Sequence, residues 1–140
     1  MAFTGNYSCN TLRSGLASGS FNFSSNTFYL ALYTNAATLD ETTTAYTTTG
    51  EASGGNYAAG GQVVTATVGT ETTSAGSIVF INFSSPVWTG VITARGALIY
   101  KAGDNGAVCV LDFANDKTSA NIFTVTMPAN TSTSALIRIV

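Results

Sequence analysis

The six residues Phe28-Tyr29-Leu30-Ala31-Leu32-Tyr33 run without a charged or amide side chain. A run this short, with polar residues at both ends, reads as a β-strand apolar on both faces, the pattern of a central strand buried on each side. Residues 77–83 repeat it, with Ile78, Phe80 and Asn82 on one face and Val79, Ile81 and Phe83 on the other. Residues 91–101 form the longest candidate strand. Ile92, Ala94, Gly96, Leu98 and Tyr100 fall on one side, and Val91, Thr93, Arg95, Ala97 and Ile99 on the other. Gly103-Asp104-Asn105-Gly106 then supplies a hairpin turn, and residues 107–113 return antiparallel.

The remaining segments fit the same class. Residues 62–68 alternate, with Val64, Ala66 and Val68 on one face, and residues 70–76 read as a polar turn. Pro86-Val87-Trp88 marks a bend or an edge. Residues 116–119 read as a polar loop, residues 122–127 alternate up to Pro128, and residues 135–140 form a last strand. Residues 9–17 suit a short helix with Leu12 and Leu16 on one side, weakened by Ser14 and Gly15. Residues 36–51 are Thr-rich and poor in core-forming side chains, which suggests an edge strand plus a long loop around Ala45-Tyr46. Turn signals at Ser53-Gly54-Gly55-Asn56 and Ala59-Gly60-Gly61 flank Tyr57, the expected anchor of that loop. About eight short strands separated by turns indicate an all-β fold, a β-sandwich of jelly-roll or Greek-key type, with a small barrel as the alternative. Neither a repeat nor a linker divides the chain, so residues 1–140 are expected to form one domain.

Composition bears on function through charge. Only 9% of the 140 residues are charged, against about a quarter in ordinary domains. A neutral hydroxyl-rich exterior is cheap to desolvate and suits lasting contact with other subunits, although a secreted β-domain can share it. The cations Arg13, Arg95, Lys101, Lys117 and Arg138 are scattered, which argues against nucleic acid, whose phosphates need clustered positive charge. Residues 1–6 lack the basic and apolar regions of a secretory signal, and no apolar run approaches a membrane span. The sequons at Asn6, Asn22, Asn82 and Asn130 are then expected to be compositional coincidences.

Reactive groups are scarce. The chain has no histidine, which removes Ser-His-Asp and Cys-His catalysis. Cys9 and Cys109 have no zinc-ligand spacing. They read as buried small hydrophobes, with a disulfide as the lesser reading. Lys101 and Lys117 stand beside turns without an S-x-x-K spacing and are expected in solvent. The carboxylates Asp40, Glu41, Glu51, Glu71, Asp104 and Asp116 fall in loop-like segments, whereas Asp112 lies late in a strand. Asp112 is expected to pair with Arg95, because an Arg on an apolar strand needs a partner; the other reading turns Arg95 toward a subunit interface. Asp112 and Asp116 do not form a calcium loop. The Gly pairs at Gly54-Gly55 and Gly60-Gly61 match no phosphate-binding motif. Trp88 and the tyrosines are expected in the core or at an interface rather than on a sugar-stacking face. No catalytic, cofactor-binding or metal-binding residue is assigned, and an enzyme is not expected.

Several phrases resemble a group of small bacteriophage proteins. They are residues 28–40 (FYLALYTNAATLD), 44–51 (TAYTTTGE), 56–61 (NYAAGG), 93–100 (TARGALIY), 107–113 (AVCVLDF) and 135–139 (ALIRI), spread over nearly the whole chain. The resemblance implies a virion structural protein of the head decoration, or cement, type. Such a protein would sit on the outside of the capsid, clamp copies of the major capsid protein and associate with copies of itself, commonly as a trimer. It would be made in the host bacterial cytoplasm and end in the virion, with no nucleic-acid or membrane partner and no cofactor. A tail, collar or fibre component is the alternative. A carbohydrate-binding module is a third reading, and it requires an exposed aromatic platform including Trp88.

Overall fold

The computed structural model describes residues 3–140; Met1 and Ala2, which open the segment read as lacking a secretory signal, lie outside the described residues. In chain order the elements are β1 (Tyr7–Ser8), α1 (Asn10–Ser18), β2 (Phe28–Tyr33), β3 (Gln62–Val64), β4 (Ala66–Thr73), β5 (Gly76–Phe83), β6 (Val87–Thr89), β7 (Thr93–Lys101), β8 (Ala107–Thr118), β9 (Ile122–Thr124) and β10 (Ile137–Ile139). The fold is all-β and sandwich-like, with one short helix. A five-stranded sheet has the order β1-β8-β7-β2-β3, a three-stranded sheet the order β10-β5-β4, and β6 pairs with β9. Every pairing is antiparallel.

The two apolar faces of β2 both find cover. On one face Leu30, Leu32, Ala97 and Ile99 pack with Ile81, Phe83 and Ile137 of the smaller sheet and with Trp88 and Phe123 of the β6-β9 pair. On the other, Ala31, Tyr33, Leu98, Tyr100 and Val110 meet Phe3, Cys9, Ala37 and Leu39, with Tyr46 packed alongside. The second cover is therefore the N-terminal segment and the Thr-rich loop after β2, not another sheet. Each large side chain so buried contributes about 1.5–3 kcal/mol relative to exposure.

Several elements differ from the sequence expectation. The segment 70–76 is not a turn up to Gly76. β4 runs to Thr73, each residue matched to β5, and only Ser74 and Ala75 lie between the strands. β-branched Thr suits an exposed strand as well as a loop. Asp116, Lys117 and Thr118 likewise belong to β8, where Thr93 faces Thr118 and Ala94 faces Lys117. β9 and β10 are only three residues each, and β7 begins at Thr93, leaving Val91 exposed. Residues 36–51 contain no edge strand, only single bridges from Ala45 to Gly106 and from Glu51 to Tyr33. In α1 the buried face is Leu12 and Gly15, while Leu16 is exposed. The ring of Phe21 lies where a side chain at Gly15 would stand, so the small residue rather than the second leucine turns inward.

Gly61 sits at the start of β3 with φ +81°, and a Cβ there would overlap the Leu30 carbonyl. Gly19 ends α1 with the same φ but faces open space. Gly61→Ala is therefore expected to cost about 3 kcal/mol, against about 1 kcal/mol for Gly19→Ala. Urea midpoints at unchanged m-value check the contrast, and equal losses would contradict it.

Candidate interaction surfaces

The main polar cluster of the described residues lies between the loop and the sheet it covers. Glu51 Oε1 accepts from the Tyr46 hydroxyl at 2.7 Å, and Oε2 accepts from the Tyr57 hydroxyl at 2.6 Å and the Gly60 N–H at 2.8 Å. The Tyr57 oxygen in turn accepts the Leu32 N–H of β2 at 2.9 Å. Tyr33 donates to the Thr47 carbonyl and Tyr100 to the Gly60 carbonyl, each at 2.6 Å. Tyr57 is thus the loop anchor that its flanking turns suggested. Burial pushes the hydroxyls of Tyr33, Tyr46 and Tyr57 well above the usual range, and for Tyr46 and Tyr57 the hydrogen bond to Glu51 adds to it. Burial, with the Glu51 charge nearby, raises Tyr100 to about 12. Neutral phenols donating to one carboxylate fasten the loop to the sheet.

The other singled-out charges are also held by the chain itself. Arg95 Nη1 meets Asp112 Oδ1 at 2.5 Å, with both side chains almost buried and the guanidinium 5.9 Å from the Phe3 ring centre. This is the expected structural pair. Lys101 is not in free solvent as expected: its Nζ is 2.9 Å from Asp104 and 2.7 Å from the Ser20 carbonyl, and it stands 5.3 Å from the Phe21 ring centre. The hairpin turn folds back onto the segment after α1, which the linear sequence does not reveal. Lys117 is exposed. Glu71 and Asp116 lie on strands rather than in loops, and among the described residues no three His, Cys, Asp or Glu converge.

Cys9 and Cys109 are free and buried, which corrects the disulfide reading. Cys109 belongs to the core between the sheets and Cys9 to the core under the loop, on opposite faces of the five-stranded sheet. Burial, with the Asp40 charge adding, raises the Cys9 thiol to about 11, and burial raises Cys109 further. Trp88 is 1% exposed and packs 5.5 Å from Tyr57, so it offers no platform for a sugar. Tyr29, Tyr100 and Tyr46 stack on one another at 5.8 and 4.7 Å.

What remains available is surface. One groove of about 450 Å³ runs between Phe113 and Lys117 of β8 and Ile122 and Phe123 of β9. A second, of about 510 Å³, lies where α1 and β8 approach β10, with Leu12, Leu16 and Ile139 beside Arg13 and Arg138. Sequence reasoning missed this second groove because it joins residues more than a hundred positions apart. β4 and β10 each pair with β5 alone and form the two free edges of their sheet. No helix among the described residues is long and apolar enough to cross a membrane. No protein-family model, curated protein or solved structure matches the chain.

The tyrosine–Glu51 fastening gives two expectations. Glu51→Ala leaves three donors without their acceptor and is expected to cost about 4–5 kcal/mol, the low end for three hydrogen bonds to a charged group at about 1.5–3 each; a chemical-denaturation midpoint unchanged from wild type would contradict it. Because the folded-state pKa values of these tyrosines lie above their ordinary value of 10.0, their contribution is complete below pH 10 and falls as pH rises beyond it. Stability measured from pH 8 to pH 12 should therefore begin to decline near pH 9, where the thiols of the unfolded chain ionise while Cys9 and Cys109 stay protonated in the fold, and fall more steeply above about pH 10 as the tyrosines add their share. The thiols give a third: a thiol reagent at pH 8 should label neither cysteine of the native protein and both after unfolding, and rapid native labelling would refute their burial.

Proposed function

We propose that the chain is a structural component of a bacteriophage particle, of the head decoration (cement) type, acting outside the capsid by contact with the major capsid protein and with copies of itself. The observation that carries this reading is the disposition of charge. Arg95 is paired with Asp112, Lys101 with Asp104, and Glu51 with its tyrosines. The exterior left over is mostly Thr, Ser and Asn, with Val63, Val68, Val87, Val91 and Ile122 exposed among them. Such a surface is covered by another protein at little desolvation cost. The sequence phrases that resemble small phage proteins support the same reading. Many modest contacts repeated by the symmetry of a shell give avidity without a single tight site.

The test is the protein's copy number and place in purified particles. The expected result is a near-stoichiometric ratio to the major capsid protein, with label distributed over the head, and particles lacking the protein releasing their DNA at lower temperature. A few copies per particle, placed at the tail, would overturn the head assignment in favour of a tail, collar or fibre role.

A further inference from the structure

The two free edges of the three-stranded sheet are complementary. β4 is eight residues long, with Glu71 its one charged side chain and no Lys, Pro or bulge, which are among the devices that usually blunt exposed edges. At the opposite edge, β10 borders the groove beside α1. Strand register fixes which side chains share a face. Val68 lies opposite Ile81, and Ile139 opposite Val79, so both point to the side of the sheet that holds buried Ile81. They are nonetheless 43% and 44% exposed. Glu71 lies opposite Ile78 and Arg138 opposite Phe80, so these two share the other side. The groove carries Arg13 and Arg138 and no Asp or Glu. One oxygen of Glu71 accepts from the Ser132 hydroxyl, and the other has no hydrogen bond among the described residues.

We propose that the β4 edge of one copy adds to the β10 edge of a second copy, extending the sheet head to tail. The added strand carries Val68 to the apolar side, with Ile139 and Leu16, and Glu71 to the side of Arg138. Backbone pairing supplies affinity and the two side-chain matches supply orientation. Because the joined edges differ, the contact is heterologous and repeats from copy to copy, closing into a ring when the rotation allows. This inference rests on the proposed role as a contact protein and names one of its contacts.

Sedimentation of the purified full chain from about 10 μM to about 1 mM tests it. The wild type is expected to associate reversibly. Arg138→Glu and Glu71→Arg, both at exposed positions, should each weaken association roughly tenfold, and the double reversal should restore it. Val68→Lys should abolish it by charging the edge. Circular dichroism and a cooperative melt establish that each variant is folded. A chain monomeric at every concentration, single reversals without effect, or a double variant no stronger than the singles would each overturn the pairing. Particle copy number reports on the virion role separately, so either claim fails without the other.

Discussion

Strands β2 and β7 are apolar on both faces, and everything else in the fold answers the need to cover both. One face is covered in the ordinary way, by a second sheet and the β6-β9 pair. The other is covered by the N-terminal segment around Phe3 and Cys9 and by chain with no regular structure, the loop that leaves β2 and returns as β3. A loop buries backbone polar groups only if they find partners. Here they do, through the Thr34 N–H to Gly50, the Ala52 N–H to Leu32 and the Ala107 N–H to Thr44. Glu51 then draws Tyr46, Tyr57 and the Gly60 amide onto one carboxylate. A single charged acceptor serving three donors is stronger than neutral contacts of the same number, and it lets a Thr-rich segment act as a structural layer.

This solution has a consequence for function. Several polar and ionisable groups help to hold the layers together: the phenols are held neutral, the thiols are buried, and the Arg95–Asp112 pair is nearly dry. What the molecule presents outward is shape, hydroxyl groups, a few apolar side chains, a few scattered charges such as Glu71 and Arg138, and open strand edges. The proposed role in a virion and the proposed pairing of sheet edges both follow from that exterior, and they are separate claims about it.

Much of the interior was legible from the chain alone. Residues 28–33 announced a strand buried on both sides, the Gly103–Gly106 segment announced its hairpin, and the solitary Arg95 required Asp112. Tyr57 stood out because glycine turns bracket it. The rest was hidden for definite reasons. Thr70–Thr73 and Asp116–Thr118 are polar whether they lie in a turn or in an exposed strand, so pattern alone ended β4 and β8 too early. Leu16 has the spacing of a core residue, but Phe21 occupies the space over Gly15, and that contact depends on the chain's return after the helix. Lys101 finds the Ser20 carbonyl, and the groove beside α1 joins Leu12 to Ile139, through packing that no local pattern encodes.

If the Thr-rich loop is a layer of the fold rather than a covering laid over a finished sheet, it must open only when the whole molecule opens. Native-state hydrogen exchange measured amide by amide tests this directly. The amides of Thr34, Tyr46, Ala52 and Ala107, each bonded within or to the loop, are predicted to exchange with the same opening free energy as the amides at the centre of β2 and β7. Fast exchange at those four positions, with β2 and β7 still protected, would contradict it.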